Sequence, residues 1–303
     1  MNKVYNTVWN ESTGMWVVTS ELTRKGGQRP RQIKRTALAG LIAGLLLPSA
    51  PALAVAHDNM TVEDNASGAT YLRPGDTATN TTINGGILHV SSGASVTSTT
   101  INYGRNNPGS LYVSSGGSAT STTINHGYQH LLGGSATNTV INSKGTQWVQ
   151  DGGSATNTTI NGGIQRVSGN ATSTTIGNGG NQYVSNGGIA TNTLINNGGK
   201  QTVHYRGSAA DITINSGGIQ DVENGGNADN ITINSGGIQN VENGGNADNI
   251  TINSGGIQDV ENGGNADNIT LNSGGTIRVF GGALSQIYPK AVAVLSRPIL
   301  APV

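Results

Sequence analysis

Residues 212–230 read ITINSGGIQDVENGGNADN, and residues 231–249 and 250–268 repeat them with a single substitution, Asn240. One aliphatic position can be followed at this period of about 19 residues through eleven rungs: Ile83, Ile101, Ile124, Ile141, Ile160, Ile176, Ile195, Ile214, Ile233, Ile252 and Leu271. A short unit that recurs at a fixed period indicates a solenoid, in which each rung stacks on the one before it. The two irregular steps follow Ile101 and Ile160, where an insertion and a deletion coincide with expected turns.

Residues that follow the first glycine pair of each rung alternate between variable and fixed positions. The fixed positions hold glutamine and then valine or leucine, as in Gln165 and Val167, whereas the variable positions hold residues as different as His89, His130 and Arg166. Alternation with a period of two indicates a strand with one solvated face, so glutamine and valine are predicted to point inward. Stacked glutamine and asparagine amides can then hydrogen-bond along the axis.

The predicted fold is therefore all-β, a right-handed parallel β-solenoid (β-helix) of about eleven 19-residue rungs. Each rung is expected to contain two or three short strands, and its glycine pairs are expected to form the corners. The 47 glycines fit such corners, and an aromatic content of 4% fits a core too narrow for rings.

Composition excludes several classes of function. The chain contains no cysteine, which rules out disulfides, thiolate metal sites and a cysteine nucleophile. Its formal net charge is zero, so there is no general attraction for nucleic acid, and no nucleic-acid partner is expected. The positive and negative charges are unevenly distributed along the chain, because residues 1–56 are basic and the remainder of the chain is acidic.

The N-terminal segment has the three parts of a secretory signal. Basic residues between Lys25 and Arg35 precede the apolar run from Ala37 to Leu47, and a small, proline-containing stretch follows. Eleven apolar residues are too few to span a bilayer as a helix, which needs about 20. Cleavage after Ala54 or after Ala56 fits the small-x-small rule, with Ala54 preferred.

Residues 1–27, MNKVYNTVWNESTGMWVVTSELTRKGG, resemble the extended signal-peptide region of Gram-negative autotransporter adhesins. The TINSGG, IQxV and GGxA patterns resemble the repeats of the AIDA/TibA family of self-associating autotransporter adhesins. The resemblance implies a surface-displayed passenger that mediates attachment to a host cell-surface receptor, autoaggregation with copies of itself on neighbouring cells, and biofilm formation. It also implies modification by a heptosyltransferase on repeat serines, which by position are Ser216, Ser235, Ser254 and Ser273 at one corner and Ser118, Ser135 and Ser154 at another.

The predicted organisation of the chain is an extended signal-peptide region at 1–27, a signal peptide at 28–54, an N-terminal cap at 55–80, the repeat solenoid at 81–282 and a non-repeat tail at 283–303. The tail, with its three prolines, is too short for the translocator barrel that this family carries. An alternative is therefore a truncated, non-functional passenger fragment retained in the periplasm rather than displayed at the outer membrane.

Two columns of acidic residues stack at the repeat period: Asp229, Asp248 and Asp267, and Glu223, Glu242 and Glu261. Like charges at this spacing repel, and binding of Ca²⁺ would relieve the repulsion, although a solvated acidic face is the simpler interpretation. A carbohydrate-active β-helix enzyme is the other alternative. The regular acidic columns have no basic partner and no irregular loop beside them, so no enzymatic activity, no catalytic residue and no other cofactor are expected.

Overall fold

The computed structural model describes residues 5–10, 14–20, 53–64, 68–281 and 284–289. The apolar run 37–47, and with it most of the predicted signal peptide, lies outside these residues. The chain divides into two units, Met1–Pro51 and Ala52–Val303. Among the described residues, none belongs to a helix long and apolar enough to cross a membrane.

The first unit contains an antiparallel hairpin. Strands β1 (Tyr5–Asn10) and β2 (Met15–Ser20) pair along their whole length, and Gly14 turns the chain with a φ of 64°. Trp9 and Trp16 lie opposite each other with ring centroids 5.5 Å apart, in an edge-on arrangement. The hairpin belongs to the region predicted as the signal extension.

The second unit is a parallel solenoid, and one of its walls is a sheet of twelve strands, here called the glutamine sheet. Its strands define rungs 1 to 12: β5 (Thr70–Leu72), β8 (Ile87–Val90), β10 (Gly109–Ser114), β12 (Gly127–Leu132), β14 (Thr146–Val149), β16 (Ile164–Val167), β19 (Asn181–Val184), β22 (Lys200–Val203), β24 (Ile219–Val222), β26 (Ile238–Val241), β28 (Ile257–Val260) and β30 (Thr276–Val279). All neighbouring pairs are parallel and stay in repeat register, as between Gln220 and Gln239.

The rest of each rung forms a bent wall that carries the aliphatic column. Its strands are β3 (Ala56–Asp58), β4 (Thr61–Glu63), β6 (Thr77–Thr79), β7 (Thr82–Asn84), β9 (Ser95–Asn102), β11 (Ser118–Ile124), β13 (Ser135–Asn142), β15 (Ser154–Asn161), β17 (Asn170–Thr172), β18 (Thr175–Gly177), β20 (Ile189–Thr191), β21 (Leu194–Ile195), β23 (Ser208–Ile214), β25 (Asn227–Ile233), β27 (Asn246–Ile252), β29 (Asn265–Leu271) and β31 (Leu284–Pro289). These strands also pair in parallel, rung upon rung.

A left-handed residue bends this wall once in every rung. The bend residues have φ between 50° and 58° and are all Asn, Ser or Asp: Asn59, Asn80, Ser98, Ser121, Asn138, Asn157, Ser173, Asn192, Asp211, Asn230, Asn249 and Asn268. Short polar side chains tolerate this conformation best among residues other than glycine. Each rung therefore has three straight segments, which resolves the choice between two and three strands that the sequence left open.

The solenoid extends beyond the eleven rungs followed in the sequence. Val62 pairs with Ile83 and so begins the aliphatic column one rung earlier, although residues 55–80 were expected to form a cap. At the other end, β31 pairs with β29, although residues 283–303 were expected to lie outside the repeat. The rungs at 53–79 lack the full glycine-pair and IQxV pattern, which is why the period did not reveal them.

The core consists of columns of identical or similar side chains. The aliphatic column from Ile83 to Leu271, the valine and leucine column of the glutamine sheet as far as Val260, and the small alanine column that includes Ala155 and Ala228 are all buried. Eight glutamines, Gln129, Gln147, Gln165, Gln182, Gln201, Gln220, Gln239 and Gln258, are fully buried as well. The inward orientation of glutamine and valine predicted from the alternation is confirmed.

The buried glutamines form a continuous amide ladder. Each Nε2 donates to the Oε1 of the preceding rung at 2.6 to 2.7 Å, from Gln258 down to Gln129. Gln129 Nε2 in turn donates to Thr122 Oγ1, so the N-terminal end of the ladder has a partner. At the other end Ile277 occupies the next position, and Gln258 Oε1 has no hydrogen-bond partner. The ladder satisfies polar groups that would otherwise be costly to bury.

Candidate functional surfaces

The outward face of the glutamine sheet carries a stack of aromatic rings in its first five rungs. Its members, here called the aromatic column, are Tyr71, His89, Tyr112, His130 and Trp148. Successive ring centroids are 4.4 to 4.8 Å apart and the planes are close to parallel. The register forces this stacking, because one strand spacing is also a favourable distance between rings. The rings therefore present their edges, with hydroxyl and N–H groups, to solvent.

Stacking changes the chemistry of the two histidines in the column. His89 lies between Tyr71 and Tyr112, and His130 lies between Tyr112 and Trp148. Burial between these neighbours lowers the pKa of both imidazoles below the ordinary value. At neutral pH the aromatic column is therefore uncharged and offers hydrogen bonds rather than positive charge.

We expect thermal stability to fall as the pH drops from about 7 to 5, through the range where an ordinary histidine becomes charged. In the unfolded chain His89 and His130 bind protons near the reference pKa, whereas the folded rod binds them less readily, so acid favours unfolding. Circular dichroism melting curves at both pH values measure the effect. The His89→Tyr/His130→Tyr double variant keeps stacked rings without groups that titrate in this range. Equal losses of melting temperature in the two proteins would contradict the assignment.

The same outward face changes character after rung 7. The position that holds aromatic rings in rungs 1 to 5 is occupied by Asp221, Asn240 and Asp259 in rungs 9 to 11. Asp221 forms a salt bridge with Lys200 and accepts a hydrogen bond from Asn240 Nδ2 at 2.7 Å. Asp259 is held by the guanidinium of Arg278 in rung 12. Carboxylate and amide oxygens thus replace ring edges on the C-terminal half of the face.

The two acidic columns predicted as candidate Ca²⁺ ligands lie at different places on the rod. Glu223, Glu242 and Glu261 follow the last buried residue of β24, β26 and β28, on the glutamine sheet's side. Burial, and secondarily the charge of Glu223, raises the pKa of Glu242, as expected for stacked like charges. The stacking predicted from the period is present.

The second acidic column is interleaved with amides. Asp229 accepts a hydrogen bond from Asn249 Nδ2 at 2.8 Å, and Asp248 accepts one from Asn268 Nδ2 at 2.7 Å. In both cases the bend asparagine of one rung donates a hydrogen bond to the carboxylate of the rung before it. Asp267 accepts from Asn265 within its own rung. Within the described part of the chain, no three His, Asp or Glu side chains are grouped so that they could hold a metal ion.

The serines predicted as glycan acceptors all lie at corners. Ser216, Ser235, Ser254 and Ser273 are exposed and stack along one edge of the rod. A Cβ added at Gly236 would lie only 2.6 Å from Ser216 Oγ, which shows how closely consecutive rungs pack at this corner. Of the second set, Ser135 is exposed, and Ser118 and Ser154 are half-buried at the start of their strands.

The two predicted signal-cleavage positions lie at the start of the solenoid unit. Ala54 and Ala56 are exposed. Val55, between them, donates its backbone N–H to Asp76 Oδ1 at 2.7 Å, and its carbonyl accepts a hydrogen bond from Thr77 N–H. The Val55 and Arg73 backbone N–H groups lower the pKa of Asp76.

Sequence reasoning recognised His89 and His130 as outward residues but did not find the aromatic column. The signal was present, because Tyr71, Tyr112, and Trp148 occupy the same position of the IQxV unit as the histidines. The unequal spacing in rungs 2 to 4, caused by the insertion after Ile101, obscures the match. In the structure this insertion forms a turn that is tied to Asp64 by Asn106 N–H and Asn107 Nδ2.

Comparison with known proteins gives matches in both units. Residues 1–50 match the Extended Signal Peptide of Type V secretion system. Residues 180–237 and 224–275 match the Adhesin of bacterial autotransporter system, probable stalk. The signal extension and the adhesin repeats inferred from the sequence are thereby confirmed.

Two curated relatives match over 87 residues each, or 28% of this chain. Autotransporter CRAC of Citrobacter rodentium (strain ICC168) is 77% identical there, and autotransporter adhesin/invasin TibA of Escherichia coli O78:H11 (strain H10407 / ETEC) is 75% identical. The matches cover 6% and 9% of those proteins, so the chain spans less than a tenth of the curated relatives it matches.

A solved structure shares the fold. The crystal structure of a TibC-catalysed, hyper-glycosylated fragment of TibA superposes with a TM-score of 0.67 and 43% identity, over 80% of this chain and all of that one. The all-β parallel solenoid with a period of about 19 residues is therefore the architecture of this relative too. With the signal extension, the adhesin repeats and the shared fold together, the chain belongs to the AIDA/TibA family of autotransporter adhesins.

Proposed function

We propose that the chain is the passenger of a surface-displayed adhesin that mediates attachment to host cells, autoaggregation and biofilm formation. The observation that carries this proposal is the regular rod itself, whose twelve rungs present repeated columns of Asn, Ser, Thr and aromatic side chains to solvent. The adhesin/invasin description of TibA supports the same role.

Repetition supplies the mechanism of adhesion. A single exposed hydrogen bond contributes about 0.5 to 1.5 kcal/mol, which is too little to hold two cells together. Columns with identical spacing allow many such contacts to form at once, so avidity grows with the number of rungs engaged. The asparagine ladders, for example Asn215 Nδ2 to Asn196 Oδ1 at 2.9 Å, keep the columns aligned along the rod.

Export is proposed to end with cleavage after Ala54. This cut leaves Val55 in place, and with it the two hydrogen bonds that join the first rung to Asp76 and Thr77. Cleavage after Ala56 would remove both. The signal extension and the autotransporter relatives support delivery across the inner membrane and onward to the outer-membrane surface.

Glycosylation is proposed on the exposed corner serines by a heptosyltransferase. The TibA fragment modified by TibC supports a modifying enzyme as partner. Ser216, Ser235, Ser254 and Ser273 are the best placed acceptors, because their hydroxyls are exposed and follow one another at rung spacing. An enzyme bound to one of these corners would meet the same local geometry at the next.

Deleting whole rungs is expected to weaken autoaggregation in proportion to the length removed. Residues 212–268 comprise three nearly identical repeats, so their removal keeps the register of the remaining strands. Settling of cell suspensions that display the chain measures the effect, with removal of residues 231–249 alone as the matched smaller deletion. We expect the three-repeat deletion to slow settling far more than the single deletion. Unchanged settling in both, at equal surface expression, would refute the proposal.

A further inference from the structure

The N-terminal end of the rod lacks the neighbour that every later rung has. In the later rungs, the first residue of the corner after the glutamine sheet donates its backbone N–H to a carbonyl oxygen of the preceding rung, as Glu223 does to Val203 O at 2.9 Å. Arg73 holds this corner position in rung 1, and among the described residues no strand of the glutamine sheet precedes β5. Another group has to accept the hydrogen bond from Arg73 N–H, since unpaired backbone donors are unfavourable in a folded chain.

Asp76 provides the missing acceptor with its side chain. Its Oδ2 accepts a hydrogen bond from Arg73 N–H at 2.8 Å, and its Oδ1 accepts one from Val55 N–H at 2.7 Å. Asp76 ends the corner that Arg73 begins, and its own N–H donates to Arg73 O at 2.9 Å, just as Gly188 N–H donates to Ser185 O in rung 7. All rungs from 3 to 11 have glycine at this position.

A carboxylate fits at this position because rung 1 has no predecessor at the corner. In rung 9, a Cβ added at Gly226 would lie 2.2 Å from Val203 O, so the carbonyl of the preceding rung fills the space. In rung 1 the side chain of Asp76 takes the place of that carbonyl and is buried, with 6% of the residue's surface exposed. Within the described part of the chain no Lys, Arg or His side chain forms a salt bridge with Asp76. The cap of the rod is therefore a carboxylate whose charge has no ionic partner.

Removal of the signal peptide changes the group that this carboxylate meets. Hydrolysis of the Ala54–Val55 peptide bond consumes one water molecule, whose oxygen goes to the new carboxylate of Ala54 and whose two protons go to the nitrogen of Val55. The amide N–H thereby becomes an α-ammonium group, which has an ordinary pKa of about 7.7 to 8.0 and is mostly charged at neutral pH. Val55 stays in register, because its carbonyl accepts a hydrogen bond from Thr77 N–H at 2.9 Å.

We infer that Asp76 is a binding site for the α-ammonium group of Val55, completed when the signal peptide is removed. The inference rests on the cleavage after Ala54 proposed above and adds its consequence for the end of the rod. A hydrogen bond between two charged groups is about twice as strong as one between neutral groups. The strands β3 and β4, which pair with β6 and β7, are therefore held more firmly after cleavage than before it.

The surroundings of Asp76 keep its carboxylate ready for a positive partner. The backbone N–H groups of Val55 and Arg73 lower its pKa, and the nearby His57 and Arg73 side chains lower the pKa further by a smaller amount. Asp76 is therefore ionised at neutral pH. Cleavage after Ala56 would not complete the site, because His57 would then carry the ammonium group, and His57 pairs with Ala78 farther along the strand.

Four rods that differ at two positions test the inference. Residues from Ala52 onward form a unit of their own, so the rod can be prepared without the signal peptide. The rods begin at Val55 or retain Ala54, each with Asp76 or with Asp76→Asn, and a protease that leaves no extra residue releases them from a fusion. Retaining Ala54 is a matched control, because it moves the ammonium group by one residue and Ala54 has room as an exposed residue. Hydrogen exchange of peptides that cover β3 and β6, measured by mass spectrometry, reports how firmly the first strands are held.

With Asp76 in place, we expect exchange in β3 and β6 to be at least about tenfold slower in the rod that begins at Val55, as for one hydrogen bond to a charged group. Asp76→Asn should remove most of this difference, because the amide keeps the shape of the side chain without its charge. Exchange in β14 should be the same in all four rods and shows that they are folded. Equal exchange in the two rods with Asp76, or an equally large difference in the two with Asp76→Asn, overturns the inference. The comparison of the two rods with Asp76 requires no substitution.

N-terminal sequencing of the rod that cells export from the full chain separates this inference from the proposed cleavage. A start at Val55 together with slower exchange of the Val55 rod supports both. A start at Val55 with equal exchange overturns the ammonium site and leaves the cleavage intact. A start at His57 overturns the proposed cleavage, and with it the use of the site in the exported rod.

Discussion

Replacing Gly188 with alanine is expected to destabilise the rod by about 3 kcal/mol or more. This is a large loss of stability for the addition of one methyl group. A Cβ at this position would lie 2.1 Å from the carbonyl oxygen of Val167 and 2.7 Å from its carbonyl carbon. Both atoms belong to the backbone of the preceding rung, and they cannot move aside without breaking the backbone hydrogen bonds between the two rungs. Val167 O accepts the hydrogen bond from Ser185 N–H at 3.0 Å, and displacing this oxygen would break that bond.

The adjacent glycine provides a matched control. Gly187 has a φ of 89°, and a Cβ added there would meet no atom within 4 Å. Its replacement by alanine therefore carries only backbone strain, which costs about 1 to 2 kcal/mol. Urea unfolding of Gly188→Ala and Gly187→Ala, followed by circular dichroism, compares steric exclusion with strain at the same corner. Equal destabilisation by the two variants would show that close approach between rungs does not control corner composition.

The repeat period predicted most of the fold because every rung places the same residue in the same surroundings. Gln165 and Val167 could be assigned to the interior by comparing equivalent positions, since those positions tolerate little change along the chain. The same comparison predicted the amide ladders, whose distances of 2.6 to 3.0 Å now confirm them. The insertion after Ile101 was rightly placed in a turn.

Features that depend on backbone conformation or on the ends of the rod could not be predicted in this way. The bend at Asn230 lies inside NADNITI, a run that is otherwise typical of a single strand, so its left-handed φ of 53° gave no separate signal. Val62 begins the aliphatic column, but its neighbours lack the glycine pairs that mark later rungs. The aromatic column became visible only when the register placed Tyr112 between His89 and His130 on one face.

Replacing Gln201 with leucine is expected to cost about 2 to 5 kcal/mol, because the ladder would be cut at a point where no other side chain can substitute. Gln201 Nε2 donates to Gln182 Oε1 at 2.6 Å and its Oε1 accepts from Gln220 Nε2 at 2.7 Å. Leucine suits the space, since the same column holds Leu88 and Leu111 in rungs 2 and 3. The loss would therefore arise from two buried atoms left without a hydrogen-bond partner, Gln182 Oε1 and Gln220 Nε2.

The end of the ladder supplies a control with the same change of side chain. Gln258 Oε1 already lacks a partner, so Gln258→Leu removes one unsatisfied group and creates another at Gln239 Oε1. The two changes nearly cancel, and we expect the free energy of unfolding to change by less than about 1 kcal/mol. Hydrogen exchange of the backbone amides in β22 and β28 locates the damage in each variant. If Gln258→Leu were as harmful as Gln201→Leu, the cost would have to be assigned to packing rather than to the interrupted hydrogen bonds.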